Sequence, residues 1–403
     1  MAPTQIMSAR RTALLGAGLV AIGPVSMALY TPAMPDLANA FATSDALIKL
    51  TLTAYFAGFA AAQLVSGPLT DAFGRKPVTI AFLCLYLVSS VMASFAPDVT
   101  SMIIARSIQG VGAAVGISVS RAIVRDQFTG QTSARVMNAI AMMLALGPAV
   151  SPTIGGLVLE LFGWREIFWC MVIYGTVLML AVICLQSETN SHTGRHHLAP
   201  RRLLGNYLAL LRDPRFLQPS LLTGFGLGNL YALATVLPFV LIYKVGLTPF
   251  EFGLTMMLQS GSFITGTIVT GRLLKRHDAK KMLPFGMAGL ALSSGMMTVL
   301  MATQTPTVLT TMAPVMLFAF SLAFVLPAGL TMAMQDFPHI AGAASSMMGF
   351  LQFGGGIAGS LIIAAIGDPV VGMATVIPAM PLLGIACYYL FAQKAAHSHS
   401  PAE

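Results

Sequence analysis

The sequence predicts an all-α membrane protein, with twelve transmembrane helices arranged as two pseudo-symmetric bundles of six. Three observations carry this prediction. Of 403 residues, 56% are hydrophobic and only 9% are charged, against about 25% charged in an ordinary soluble domain. The few charges bound uncharged stretches long enough to cross a bilayer. The lysines and arginines then fall almost entirely on one side of the plan those stretches define. A soluble fold of this size could not hide so much apolar surface, so lipid must be its solvent.

A helix needs about 20 largely apolar residues to cross hydrocarbon. Span one lies between Arg11 and Asp36, span two between Lys49 and Asp71, span three between Lys76 and Asp98. Span four runs from Asp98 to Arg121, interrupted only by Arg106. Spans five and six occupy Arg135 to Glu160 and Glu166 to Glu188. The second half repeats the plan: span seven from Arg215 to Lys244 and span eight from Glu251 to Arg272. The 54 uncharged residues between Lys281 and Asp336 hold spans nine and ten, with a turn near Thr303-Gln304-Thr305-Pro306. Asp336 to Asp368 and Asp368 to Lys394 hold spans eleven and twelve. Arg10-Arg11 before an apolar run resembles a twin-arginine export signal. The run continues through a proline-rich turn toward a second apolar segment, so it reads as span one with an arginine anchor.

Orientation follows from the basic residues. With both termini cytoplasmic, 18 of the 22 lysines and arginines are cytoplasmic. Only Lys49, Arg165 and Lys244 fall outside, and Arg106 is the one charge within a span. The net charge of +8 is therefore topological, and no nucleic-acid partner is expected. The predicted domains are residues 1–190 (spans one to six), a cytoplasmic linker at 191–214, and 215–403 (spans seven to twelve). In the linker, Leu203, Leu204, Tyr207, Leu208 and Leu211 recur at helical spacing between Arg201, Arg202 and Arg212, which suggests an interfacial helix. His192, His196 and His197 lack a carboxylate or cysteine at ligand spacing, so they read as solvated linker and no metal is expected. Cys84, Cys170, Cys184 and Cys387 each lie in an apolar stretch and read as small buried hydrophobes.

The chemistry-bearing motifs are few. Gly67-Pro68-Leu69-Thr70-Asp71-Ala72-Phe73-Gly74-Arg75-Lys76-Pro77 forms the short loop after span two. Its glycines permit a tight turn, and Asp71, Arg75 and Lys76 put three charges at one membrane edge. Gly271-Arg272-Leu273 echoes it after span eight. Tyr30-Thr31-Pro32-Ala33-Met34-Pro35 closes span one, and Arg106-Ser107-Ile108-Gln109-Gly110-Val111-Gly112 lies in span four, followed by Arg121-Ala122-Ile123-Val124-Arg125-Asp126. Gly147, Pro148, Pro152, Gly155 and Gly156 punctuate span five, where the glycines admit a neighbouring backbone and the prolines bend the helix. Gly261, Gly266 and Gly271 suit span eight to meet span five. Gly349, Gly354, Gly355, Gly356 and Gly359 suit span eleven to approach span two around Gly58. An arginine within a span is costly unless it faces an aqueous cavity and has a partner; Gln109, three residues on, shares its helix face.

The loop after span two resembles the signature loop of the major facilitator superfamily. The further segments resemble its drug-exporting branch with twelve spans, the Bcr/CflA subfamily in particular. The resemblance implies the family's fold and a secondary transporter of the bacterial inner membrane. It implies export of lipophilic antibiotics by alternating access, with the proton gradient as energy source and no cofactor. Gly67, Asp71, Gly74, Arg75, Lys76 and Asp126 would form its conformational switch. In that arrangement Asp71 faces the N-terminal end of span eleven and Arg75 pairs with Asp126, a partly exposed contact worth about 1 kcal/mol. Arg106 takes a role in proton coupling, and spans one, two, four, five, seven, eight, ten and eleven line the cavity. The cavity candidates are then Tyr30, Tyr55, Arg106, Gln109, Asn229, Tyr231, Gln259 and Gln352, with Met142, Met143, Met256 and Met257 nearby. Relatives commonly carry an aspartate where this chain has Ala28, and no span here contains an acid at mid-depth. The proton-coupling candidates are thus Asp36, Asp71 and Asp126 together with Arg106. The missing acid points to neutral or anionic substrates. Partners are small lipophilic substrates, protons and lipid, with a monomer as default. A transporter of a small metabolite (amino acid, sugar or nucleoside), by export or uptake, is the alternative. A membrane enzyme is not expected, because no catalytic polar cluster is present.

Overall fold

The computed structural model describes residues 6–190 and 200–397, and every regular element among them is helical. The expectation for His192, His196 and His197 lies outside the described residues. Among the described residues, twelve helices are long and apolar enough to cross a membrane. They are span one (Ala9–Ala40), two (Asp45–Phe73), three (Arg75–Ser94), four (Val99–Gln127), five (Gly130–Phe162) and six (Trp164–Leu185), then seven (Pro214–Lys244), eight (Pro249–Leu273), nine (Ala279–Thr303), ten (Val308–Gln335), eleven (Ala341–Ile366) and twelve (Pro369–Ala392). A further helix, Pro200–Arg212, precedes span seven.

Local chemistry sets the helix boundaries. The Ser44 side chain accepts from Leu47 N and starts span two. Asp98 with Ser101 and Thr307 with Thr310 form reciprocal capping boxes at spans four and ten, satisfying donors that a helix start leaves open. Gly74, at φ +99°, separates spans two and three, a backbone conformation that side chains other than glycine's resist. Span one is interrupted by a 3-10 turn at Thr31–Ala33, where Pro32 removes a donor.

The chain divides into two compact units, Met1–Pro200 with Pro249–Gly253, and Arg201–Thr248 with Leu254–Glu403. In the first, span four is the hub. A Cβ on Gly110 would collide with the Tyr55 carbonyl of span two, one on Gly112 with the span-three backbone at Phe82 and Tyr86, and one on Gly116 with the Leu19 carbonyl of span one. Gly58 answers from span two against the Ser107 carbonyl. Small residues that let helix backbones touch are how membrane helices gain packing without a hydrophobic drive. In span five, Gly155 meets the Leu29 carbonyl of span one and Gly156 the backbone of Pro249, while Phe250 N donates to Glu160 at 2.9 Å.

Several expectations are corrected. Gly58 packs on span four rather than span eleven, whose Gly355 and Gly356 face Gly224 and Tyr231 of span seven and whose Gly359 faces Met380. Spans five and eight do meet, but at the start of span eight, where Gly156 lies against Pro249 and Gly253 against Pro152 and Thr153. In span eight, Gly266 meets Phe320 of span ten, and Gly261 and Gly271 have nothing within 4 Å. None of the cysteines is buried: Cys84 and Cys184 are exposed, and Cys170 and Cys387 are half-buried. In lipid, an apolar stretch predicts helix but not which face turns inward. Lys49 is not an outer-loop residue. Helix formation from Asp45 onward places it inside span two, fully buried, so Arg106 is not the only charge within a span.

Candidate functional site: a buried arginine box and a charged loop cluster

The four span-one, span-two and span-four candidates converge in the first unit. Tyr30, Tyr55, Arg106 and Gln109 are each at most 1% exposed. The Arg106 guanidinium carbon stands 4.4 Å from the centroid of the Tyr30 ring and 4.4 Å from that of Tyr55. A desolvated cation over a π-face gains about 2 kcal/mol, which offsets part of the cost of burial. Each ring is held in turn: Tyr30 Oη and Thr51 Oγ1 lie 2.6 Å apart, and Tyr55 Oη donates to the Gly23 carbonyl at 2.9 Å. Arg106 Nη1 donates to Gln109 Oε1. Gln109 Nε2 donates to Ser90 Oγ at 2.7 Å and approaches Met171 Sδ at 3.4 Å. Nearby, Ser26 Oγ and Tyr86 Oη lie 2.7 Å apart. The glycines of span four explain the convergence, because Gly58 and Gly110 bring the span-two and span-four backbones into contact one turn from Arg106 and Tyr55.

This placement overturns the expectation that Arg106 faces water. It is sealed at 0% exposure, and its Nε and Nη2 atoms have no hydrogen-bond partner among the described residues. Leaving a buried donor unmade costs about 1–3 kcal/mol each. Among the described residues no aspartate or glutamate is buried, whereas Lys49, Arg75 and Arg106 are. Nor does the structure gather the proton-coupling candidates: Arg106 pairs with no acid, Asp36 is exposed, and Asp71 and Asp126 meet elsewhere.

They meet at Arg75, where the loop after span two folds back. Arg75 Nε donates to Asp126 at 3.1 Å, while Nη1 reaches Asp71 and, at 2.8 Å, Thr70 Oγ1. The Arg75 side chain is only 4% exposed, against 36% for Asp71 and 16% for Asp126. The arginine is buried while its two acids are partly exposed, so removing one partner approaches the cost of about 3–5 kcal/mol for uncovering a buried charge.

Sequence reasoning missed the strap that covers this cluster. Glu188, directly after span six, accepts from the backbone N–H groups of Arg75 at 2.9 Å and Lys76 at 3.0 Å, the N-terminus of span three. Thr189 Oγ1 donates to Asp126 at 3.1 Å, and Asn190 Nδ2 to the Asp71 carbonyl at 2.9 Å. Lys76 Nζ reaches the Ile183 carbonyl at 2.7 Å. Gly67 has open space around it, and Gly74 abuts the Glu188 carboxylate. The available signal was an unpaired acid on the same membrane edge as a helix start that favours anions.

In the second unit the candidates are dispersed. Tyr231 stacks on Phe353, with centroids 4.5 Å apart and planes 4° apart. Asn229 is buried with Oδ1 lacking a hydrogen bond, and Gln259 and Gln352 are half-buried. Met256 is buried, while Met142, Met143 and Met257 are exposed. An apolar cleft of about 410 Å³ lies among Leu273, Met282, Phe285, Phe320 and Phe324, where no candidate had been placed. In span five Gly147 meets Val25 of span one, and Pro148 and Pro152 lie within the helix.

The comparisons with known proteins agree with this architecture. The sequence profile described as Major Facilitator Superfamily matches residues 7–360. An "Uncharacterized MFS-type transporter YdgK" of Bacillus subtilis is 29% identical over 359 residues, covering 88% of this chain and 87% of the relative. A "Bicyclomycin resistance protein homolog" of Haemophilus influenzae is 26% identical over 372 residues, covering 92% and 93%. Among solved structures, a D-xylose-proton symporter superposes with a TM-score of 0.76 at 14% identity, covering 94% of this chain and 97% of that one, which speaks to fold. A multi-pass membrane protein of twelve spans with this profile match belongs to the major facilitator superfamily of transporters.

Proposed function

We propose that the protein is a secondary active exporter of lipophilic drugs, antibiotics among them. It works by alternating access in a bacterial inner membrane, with both termini cytoplasmic and as a monomer. The observation that supports export is the alignment with the bicyclomycin resistance homolog, which extends over 92% of the chain. The Arg106 box fits the reading: an apolar, aromatic setting with one buried cation suits neutral or anionic lipophilic solutes better than cations. Proton antiport is part of the proposal. Of its acids, Asp71 and Asp126 are tied to Arg75, which leaves Asp36, outside any ion pair among the described residues, as the carrier. The test is accumulation of bicyclomycin, an amphenicol and a sulfonamide in an efflux-deficient host, with and without a protonophore. Export that the protonophore abolishes and Asp36→Asn weakens is expected. Retention of every compound would favour the metabolite transporter, and efflux indifferent to the protonophore would remove proton coupling.

A further inference from the structure

The arginine box points to a more specific cargo. We propose that the Nε/Nη2 edge of Arg106 is a docking fork for a carboxylate, and that the carboxylate belongs to the transported molecule. The assignment deepens the transport reading and rests on it only for the identity of the carboxylate's owner.

The guanidinium is a planar group with five N–H donors. In Arg106 its surroundings are almost fully assigned. Tyr30 and Tyr55 rings lie against it at 4.4 Å each. Nη1 is held by Gln109, itself fixed by Ser90. The two nitrogens without a partner are Nε and Nη2. These are adjacent on one edge of the group, since Nη1 lies on the side of the arginine stem. Their N–H bonds run side by side, at the spacing that matches the two oxygens of a carboxylate. A scaffold arginine without a ligand role has no need to leave that buried edge without a hydrogen-bond partner while its other end is bound. An arginine serving only to repel cations has no need of two tyrosines fixing its plane.

Charge gives the second argument. The described part of the chain buries Lys49, Arg75 and Arg106 but no acid. Arg75 has Asp71 and Asp126; Arg106 has no carboxylate partner among the described residues. The counter-charge that a buried arginine calls for must then come from a mobile species. The fork offers two donors and a single positive charge, so a planar monoanion fits. The neighbourhood is apolar and aromatic, with Phe168 on the Tyr30 ring and Met171 against Gln109, which matches an aromatic or otherwise apolar carboxylate in chemistry. The substrate class is therefore a lipophilic carboxylate.

The experiment uses the full-length protein, purified into lipid nanodiscs, and isothermal titration calorimetry with acetate, benzoate, 1-naphthoate and the neutral isostere 1-naphthamide. Saturable binding of 1-naphthoate at least tenfold tighter than 1-naphthamide is expected. In Arg106→Gln the acid should fall to the affinity of the amide, and the amide should stay unchanged. Arg106→Lys keeps the charge but not the fork, and should lose most of the preference. If Arg106→Gln does not fold, the wild-type acid-to-amide ratio and the lysine variant decide. Equal affinity for acid and amide, a preference that survives loss of the arginine, or no saturable binding of any of the three carboxylates overturns the proposal. Its failure is distinct from failure of the transport reading. Drug efflux without acid preference removes only the fork, whereas a specific fork in a protein that moves nothing keeps the fork and removes the transported molecule as the carboxylate's owner.

Discussion

Gly110→Ala tests how tightly the arginine box depends on helix contact. The added Cβ would lie 2.9 Å from the Tyr55 carbonyl carbon and 3.0 Å from Phe59 N, with the Tyr55 oxygen closer still. All three are backbone atoms, so no side chain can rotate away. Ordinary contact begins at 3.4 Å, and the carbon alone requires spans two and four to part by about half an ångström. Overpacking of this kind costs about 1–3 kcal/mol. Replacing glycine within a helix returns about 1 kcal/mol, and displacing Tyr55 from Arg106 forfeits part of a cation–π contact worth about 2 kcal/mol. The net expectation is a loss of about 2 kcal/mol. Gly261→Ala supplies the contrast, since nothing lies within 4 Å of its Cβ and the same propensity gain of about 1 kcal/mol goes unopposed. Thermal unfolding of the two purified variants in one detergent should place Gly110→Ala several degrees below wild type and Gly261→Ala at or above it. Equal midpoints, or the reverse order, would refute the claim that span four is the hub of the first unit.

Four further outcomes follow. Asp126→Asn should destabilise more than Asp71→Asn, by about 1 kcal/mol or more, because Asp126 is 16% exposed and Asp71 36%; paired thermal midpoints check this. Glu188→Ala should cost about 1–2 kcal/mol by uncapping span three, seen as faster exchange of the Arg75 and Lys76 amides by hydrogen–deuterium mass spectrometry, with Glu188→Gln intermediate. A lipid-soluble maleimide should label Cys84 and Cys184 in membranes ahead of Cys170 and Cys387, while a charged membrane-impermeant reagent should label none of the four. Asp98 is held below its ordinary carboxyl range of 3.8 by hydrogen bonds from the Ser101 backbone and side chain. Its folded pKa is depressed, so its contribution is present above about pH 3.8 and is lost as pH falls through the lowered value. Asp98→Asn should flatten that acid-side decline in a pH series of unfolding midpoints.

The spans were legible in the sequence because lipid imposes one rule on every crossing segment: no charge goes in unless something holds it. That rule located Arg106 and twelve helices from charge spacing alone. It failed at Lys49, because the gap between Lys49 and Asp71 gives no sign that Ser44 starts the helix earlier. It could not assign faces either. Cys84 lies outward and Tyr86, two residues on, is fully buried, yet both are apolar enough for either side. In lipid the contrast between inward and outward is weak, so helix pairing rests on where glycines oppose carbonyls, as Gly110 opposes Tyr55 and Gly116 opposes Leu19. The convergence of Tyr30, Tyr55, Arg106 and Gln109 could be named from the motifs, but its closure could not. The Glu188–Asn190 strap was signalled only by an acid near a helix start, because most of its partners are backbone groups that sequence does not display.

One helix carries both charged sites of the first unit. Arg106 and Asp126 are 20 residues apart on span four, which runs unbroken from Val99 to Gln127 without an internal proline. At 1.5 Å per residue that separation is about 30 Å, close to the thickness of the hydrocarbon. Span four touches the backbones of spans one, two and three through Gly116, Gly110 and Gly112, so it cannot shift along its axis without disturbing those contacts. A tilt or slide that draws Arg106 from the Tyr30 and Tyr55 rings must also move Asp126 against Arg75 and the strap at Thr189. Displacements at the arginine box and at the Arg75 cluster are thereby tied by a stiff rod, with no relay of side chains between them. The converse is testable in the same molecule: loosening the cluster with Asp126→Asn should change ligand affinity at the box, some 30 Å away. An Asp126→Asn protein whose 1-naphthoate affinity matched wild type would show that span four bends instead.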